Sequence, residues 1–194
     1  MKKVLLVIIV FVLSLPSFAQ DTSQHLTFKG VPIDGTLTQF VANMKAKGFT
    51  GTVNNDGTAA LNGDFAGFKG CQIYVSTLKS KDLVSYIGVL FPVCTNWSTL
   101  EGNYRKLKDM LTTKYGDPDE VIEEFQYQHS GMDDNSKIHE LVMERCNYST
   151  LWRTPKGNLL LKLVTAGFGS CHVALVYYDK INCLAVEAAA LDDL

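Results

Sequence analysis

The stretch TNWSTLEGNYRKLKDMLTTKYGDP, Thr95–Pro118, encodes an amphipathic helix from which the rest of the fold can be placed. Ser98 and Glu101 have the three-residue spacing of a capping box, in which a hydroxyl and a carboxylate each satisfy a free backbone N–H group. Gly116 and Pro118 end the helix, because glycine accepts a left-handed conformation and proline cannot continue the hydrogen-bond ladder. The apolar residues recur at steps of three and four and therefore share one face: Leu100, Tyr104, Leu107 and Leu111. We predict that this face is buried.

The N-terminus has the form of a secretory signal peptide. Lys2 and Lys3 precede the apolar run Val4–Leu15, and small residues stand just before Gln20, where a signal peptidase would cleave. The run is too short for a comfortable membrane span. We therefore predict a signal peptide over residues 1–19, and a mature chain that is soluble in the periplasm or secreted.

The charge balance argues against two classes of partner. The whole chain has a formal charge of −2, and removal of Lys2 and Lys3 with the signal peptide would make it about −4. A nucleic-acid-binding protein needs a basic surface that displaces counterions from phosphates. The same argument disfavours docking on anionic lipid.

Turn signals and apolar alternation divide the mature chain into two similar units, 20–94 and 95–194, which we expect to form one fused domain. The first unit has its own capped helix, with Thr36 and Gln39 at capping-box spacing. The predicted strands are Leu26–Phe28, Thr50–Val53, Thr58–Leu61, Phe65–Phe68, Cys71–Leu78, Val84–Phe91, Ile138–Met143, Tyr148–Thr154, Leu159–Thr165 and Cys171–Tyr178. The predicted fold class is α+β, with two helix-plus-antiparallel-sheet units forming one curved sheet whose helices pack on one face. The repeated order of elements suggests an internal duplication.

Alternation along the strands selects four candidate binding residues on the uncovered face of that sheet. Tyr74 and Tyr86 have the opposite phase to their apolar neighbours and should lie side by side on this face. A hairpin centred on Lys156–Gly157 would place Arg153 and Lys162 there as well. Aromatic and arginine side chains are the residue types that anchor protein interfaces.

Five cysteines, Cys71, Cys94, Cys146, Cys171 and Cys183, follow the predicted signal peptide. They include no C-x-x-C step, which argues against a thioredoxin-like centre or a zinc ribbon. In an exported protein we expect two disulfides, Cys71–Cys94 and Cys146–Cys171, and one remaining thiol. The alternative is that most of them are buried thiols that behave as small apolar residues.

The sequence contains no motif for catalysis, metal binding or cofactor binding. The histidines are scattered, and there is no H-E-x-x-H pair, nucleophile elbow or phosphate-binding loop. Asp133–Asn135 lacks the glycine and the distal glutamate of a calcium loop. Glu123 with Glu124, or Asp133 with Asp134, are the paired carboxylates on which an enzyme would depend, and adjacent acids are more typical of a solvated surface.

Two segments carry a family resemblance: FKGVPIDGTLTQFVANMKAKGF, Phe28–Phe49, and LKDMLTTKYGDP, Leu107–Pro118. They look like an uncharacterised family of exported proteins from Gram-negative gut bacteria that has no assigned activity, and the likeness spans most of the mature chain. The order of helices and strands also resembles the tandem helix-plus-sheet architecture of the β-lactamase inhibitor protein. The resemblances imply a shared fold and export, and they carry over no contact residue.

These observations predict an exported, non-catalytic binding or inhibitor-like module that uses the uncovered sheet face, without cofactor or metal. Its partner would be a protein of the cell envelope. An envelope enzyme and an envelope assembly factor are the alternatives, and the oligomeric state stays open.

Overall fold

An eight-stranded antiparallel sheet forms the centre of the computed structural model, which describes residues 24–78, 82–127, 131–166 and 170–191. The predicted signal peptide lies outside the described residues. The strands are, in chain order, β1 (Thr27–Phe28), β2 (Val31–Pro32), β3 (Thr50–Val53), β4 (Thr58–Phe65), β5 (Phe68–Leu78), β6 (Leu83–Leu90), β7 (Glu120–Phe125), β8 (Cys146–Thr154), β9 (Gly157–Thr165) and β10 (Cys171–Asp179). The helices are α1 (Leu37–Ala46), α2 (Trp97–Tyr115), α3 (Asp134–Val142) and α4 (Lys180–Leu191). The predicted α+β class is confirmed.

The strand order of the large sheet is β3-β4-β5-β6-β10-β9-β8-β7, while β1 and β2 pair separately. Each half of the chain thus runs from a helix into a four-stranded meander, α1 into β3–β6 and α2 into β7–β10, with α3 inserted after β7. The last strands of the two halves, β6 and β10, pair antiparallel at the centre. The two predicted units therefore share one sheet.

The N-cap of α2 lies two residues before the predicted one. Asn96 is its N-cap, and its side-chain oxygen accepts a 2.8 Å hydrogen bond from a first-turn backbone N–H group. The predicted cap at Ser98 is wrong, because Ser98 lies inside the helix and bonds to Asp134 of α3 instead. The earlier start brings Trp97 into the core, where its indole N–H donates to Glu101.

The capping box predicted for α1 is confirmed. The Thr36 hydroxyl accepts from the backbone N–H of Gln39, and the Gln39 side chain accepts from the backbone N–H of Thr36. This reciprocal pair satisfies two of the N–H groups that a helix start leaves without partners.

The core lies between α1, α2 and α3 and one face of the sheet. The predicted apolar face of α2 is buried in full: Leu100, Tyr104, Leu107 and Leu111. On the sheet side α2 packs against β8, β9 and β10, whose buried residues include Trp152, Leu161 and Leu175. The Tyr104 hydroxyl and Thr150 Oγ1 are 2.5 Å apart within this apolar layer, so a buried polar pair fixes how α2 lies on β8.

Three predictions of local structure are wrong. Residues 138–143, expected as a strand, lie mostly in α3, because Asp133 caps that helix through the backbone N–H of Ser136. Phe65–Phe68 contains the turn between β4 and β5 and is not a separate strand. The hairpin after β8 turns at residues 155–156 and not at the predicted Lys156–Gly157, so Arg153 pairs with Asn158.

A buried carboxylate, Asp179, joins the N-terminal segment to the last helix. It is fully buried and accepts hydrogen bonds from the backbone N–H groups of Leu26, at 2.8 Å, and Asn182, at 3.0 Å. The Nδ1 atom of His25 lies 3.0 Å from the same carboxylate. The Asn182 amide then donates to the carbonyl of Val84 on β6. Asp179 therefore caps α4 and holds the start of the described chain against the sheet.

Candidate binding surface

The face of the sheet turned away from α1, α2 and α3, here called the open face, is defined by the strand register. One row of directly opposed residues runs across five strands: Ser76, Tyr86, Tyr178, Asn158 and Arg153. Directly opposed residues of antiparallel strands point to the same side. This row therefore brings together side chains from both halves of the chain.

The next row along the strands is mainly apolar. It runs from Tyr74 of β5 through Gly88, Val176 and Leu160 to Leu151 of β8. The four residues after Tyr74 are half-buried, although they lie on the side of the sheet opposite α1, α2 and α3. The open face thus has an apolar centre, bordered on one side by the tyrosines of β5, β6 and β10.

Three tyrosines, Tyr74, Tyr86 and Tyr178, form what we call the tyrosine patch. They lie on adjacent strands and are 45%, 37% and 38% exposed. The rings of Tyr86 and Tyr178 are stacked, with centroids 6.0 Å apart and planes 26° apart, and the Tyr74 hydroxyl donates to Gln72 at 3.0 Å. Burial, together with the neighbouring Tyr86 phenol, raises the pKa of Tyr178. Its hydroxyl therefore remains a neutral donor and acceptor at physiological pH.

All four residues predicted for the binding surface lie on the open face, but they do not form one cluster. Tyr74 and Tyr86 are diagonal neighbours on β5 and β6. Arg153 shares the row of Tyr86, three strands away, and its guanidinium pairs with Glu120 of β7. Lys162 is half-buried and lies two rows from Tyr178, opposite Ala174. Only the two predicted tyrosines belong to the tyrosine patch.

The helix α4 borders the open face beside Tyr178. A cleft of about 340 Å³ separates the helix from the ends of β8, β9 and β10; its lining includes Arg153, Asn158, Tyr178, Cys183, Leu184 and Glu187. Leu184 is 55% exposed, and Ile181 and Leu191 on the same helix are also exposed. The apolar surface of the tyrosine patch therefore continues onto α4.

Sequence reasoning missed Tyr178 and the contribution of α4. In β10 the residues from Cys171 to Leu175 are all buried, so alternation does not reveal which face Tyr178 occupies. Its position becomes visible only through the pairing of β10 with β6, which joins residues far apart in sequence. The enrichment of the tail in alanine does favour a terminal helix, as found for α4.

Structural partners engage three of the four carboxylates considered for acid–base chemistry: Glu123, Asp133 and Asp134. Glu123 binds Lys108 at 2.6 Å, and Glu124 points to the opposite side of β7 because neighbours on a strand alternate. Asp133 caps α3, and hydrogen bonds from Ser136 lower its pKa. Asp134 accepts from Ser98. Within the described ranges, no group of three or more His, Cys, Asp or Glu side chains is arranged to hold a metal ion.

Neither predicted disulfide is formed in this structure. Cys71 directs its sulfur towards the carbonyls of Phe65 and Phe68, in the β4–β5 turn. Cys146 and Cys171 lie on β8 and β10, which are separated by β9. Neither predicted pair is brought together on adjacent strands.

No protein-family model matches the chain, and no curated protein or solved structure shows a significant match. The family resemblance and the inhibitor-like architecture therefore stay predictions from the sequence. Among the residues that the structure describes, no helix combines the length and the apolar character needed to cross a membrane.

Proposed function

We propose that the protein is an exported, non-catalytic binding module that takes a protein partner on its open face. The tyrosine patch is the observation that carries this proposal. Three partly exposed tyrosines on adjacent strands, two of them stacked, border an apolar sheet centre that none of α1, α2 and α3 covers. The partner would be a protein of the cell envelope.

The chemistry of the open face matches a protein interface better than a small-molecule site. The three strands of the tyrosine patch are spaced by about 4.8 Å, so the patch alone is about 10 Å wide, and the apolar row extends it across β9 and β8. Protein interfaces have an apolar, aromatic centre inside a polar rim. Here the rim contains Gln72 and Asn158, with the Arg153–Glu120 ion pair at the far end of the face.

Tyrosine suits such a surface because it offers a large ring and a hydroxyl at a small cost in conformational entropy. The rings of Tyr86 and Tyr178 already stack in the free protein, and the Tyr74 hydroxyl is held by Gln72. Less rotational freedom is lost when prearranged side chains meet a partner. The patch is therefore suited to bind without rearrangement of the sheet.

The proposed location rests on the N-terminal sequence. A basic start, an apolar run and small residues before Gln20 are the features that a signal peptidase recognises. Expression with the native N-terminus should yield protein in the periplasmic or secreted fraction whose first residue is Gln20, as read by N-terminal sequencing. Recovery from the cytoplasm with Lys2 and Lys3 retained would contradict export.

The binding proposal is tested with a double variant, Tyr86→Ala with Tyr178→Ala. Tyr127→Ala is the matched control, because Tyr127 is also exposed, at 52%, but lies beyond the end of β7. Immobilised wild-type protein should capture an envelope protein, and the control should capture the same one. We expect the double variant to bind it at least about 30-fold more weakly, since removal of interface hot spots costs about 2 kcal/mol or more.

Circular dichroism should show that all three proteins are folded. Equal affinity of the wild type and the double variant for the captured protein would overturn the assignment of the site. Failure to recover any partner from the envelope fraction would count against the binding function itself.

A further inference from the structure

Cys94 and Cys171 lie directly opposite each other, although 76 residues of the chain separate them. Cys171 is the first residue of β10, and Cys94 belongs to the connection between β6 and α2. The two form an isolated antiparallel bridge, and the backbone N–H of Cys94 donates to the carbonyl of Cys171 at 2.8 Å. The bridge extends the central β6–β10 pairing beyond the end of β6.

The geometry of such a bridge suits a covalent link. Opposed residues of an antiparallel pair have Cα atoms about 4.5–5.5 Å apart, which lies within the Cα separation found across disulfides, about 4.4–6.8 Å. Directly opposed side chains also point to the same side of the sheet. Both cysteines are buried, and Asn103 of α2 donates to the Cys94 sulfur at 3.4 Å. Burial raises the pKa of Cys171, and the nearby Cys94 adds to this effect.

The other three cysteines are less well placed. Cys146 lies on β8, two strand spacings or about 9.6 Å from β10, beyond the reach of a disulfide. The Cys71 sulfur faces the β4–β5 turn. The Cys183 sulfur, on α4, faces the carbonyl of Ser85. Cys94 and Cys171 are thus the pair of cysteines that backbone pairing places directly opposite each other.

We infer that Cys94 and Cys171 form a structural disulfide when the protein folds in the presence of a disulfide oxidant. One cysteine thiolate attacks the oxidant's S–S bond, which gives a mixed disulfide and releases one thiol. The second thiolate attacks the protein sulfur of that mixed disulfide and releases the other thiol. The protein loses two thiol hydrogens and gains one S–S bond, while the oxidant is reduced to two thiols. The bond links the start of α2 to the central strand β10.

The test begins with the wild-type protein, denatured, reduced and refolded in a mixture of oxidised and reduced glutathione. After alkylation, mass mapping of unreduced peptides should show Cys94 linked to Cys171 and the other three cysteines alkylated. Dominant linkage of Cys146 to Cys171, or of Cys71 to Cys94, would overturn the inference. Five alkylated cysteines in the folded, oxidised protein would overturn it too.

Single variants supply a second measurement. The urea midpoint of the wild type should be higher after oxidation than after reduction, because a cross-link restricts the unfolded chain. Cys146→Ser should show the same difference, and Cys94→Ser should show none. An oxidation-dependent midpoint in Cys94→Ser that equals that of the wild type would contradict the assignment. Peptide mapping of the wild type does not depend on whether any variant folds.

Discussion

Replacement of Asp179 by alanine should be among the most destabilising single changes in the chain. The carboxylate is fully buried and accepts two backbone hydrogen bonds, from Leu26 and Asn182, besides its contact with His25. Alanine would leave both N–H groups buried without an acceptor, at about 1–3 kcal/mol each. We therefore expect a loss of about 4 kcal/mol in the free energy of unfolding. Asp179→Asn should lose about half as much, because its one amide oxygen can still accept.

Urea unfolding measures this loss through the fluorescence of Trp97 and Trp152, both of which are buried. With a urea m-value of about 2 kcal/mol/M, the midpoint of Asp179→Ala should fall by about 2 M. Asp64→Ala is the control, since Asp64 is exposed and accepts a single backbone hydrogen bond, from Gly70. A midpoint shift in Asp179→Ala no larger than that of the control would refute the reasoning about buried donors.

Three further outcomes follow from the helix ends, the buried phenols and one hairpin. Asn96→Ala should destabilise α2 by about 1 kcal/mol through loss of the cap, whereas Ser98→Ala should cost less. If urea unfolding shows the larger loss of stability for Ser98→Ala, Ser98 is the cap after all. Burial raises the pKa of Tyr104 and of Tyr148 to about 12. An unfolded tyrosine titrates at about 10, so the stability contributed by these neutral phenols is complete below pH 10 and is lost as the pH rises towards 12. An ultraviolet titration of the folded protein in which every tyrosine ionised together near pH 10 would contradict this. Gly157→Ala should lower the thermal midpoint strongly, because φ is +149° there and a Cβ would lie 2.0 Å from the carbonyl oxygen of Tyr178; an unchanged midpoint would show that the hairpin can relax.

The helices that the sequence predicts well are those whose signals are local. Thr36 and Gln39 form the expected capping box, and the apolar residues of α2 are buried as their spacing predicts. The start of α2 is less certain from sequence, because Asn96 and Ser98 are both good caps and tertiary contacts decide between them. Burial of Trp97 and the bond from Ser98 to α3 favour the earlier start.

In the second half of the chain, the predictions of secondary structure fail where a short element depends on a partner far away in the sequence. Residues 134–142 contain few apolar side chains, so helical and strand patterns are hard to distinguish over that length. The helix forms because Asp133 caps it and Leu141 is buried in the core. The turn after β8 lies one residue earlier than predicted, at 155–156, since Gly157 pairs with Thr154. The partner of each β8 residue on β9 therefore shifts by two residues.

The candidate site shows the same division between local and distant information. Alternation within β5 and β6 places Tyr74 and Tyr86 on the open face without knowledge of the topology. Tyr178 joins them only because β10 inserts between β6 and β9. A pattern within one strand cannot reveal which strand will lie beside it. The composition of a surface built from two halves of a chain is therefore only partly readable from sequence.

Because β6 pairs with β10, the large sheet can be completed only when the last strand of the chain is available. The first four strands of the large sheet leave the edge of β6 without a partner until residues 171–179 are available, and unpaired edges invite contact with other chains. A polypeptide whose N-terminus emerges first therefore exposes the unpaired edge of β6 until β10 has emerged, and this edge must be protected from other chains during that time. Truncation before residue 171 would remove β10, which lies at the centre of the sheet and not at its edge.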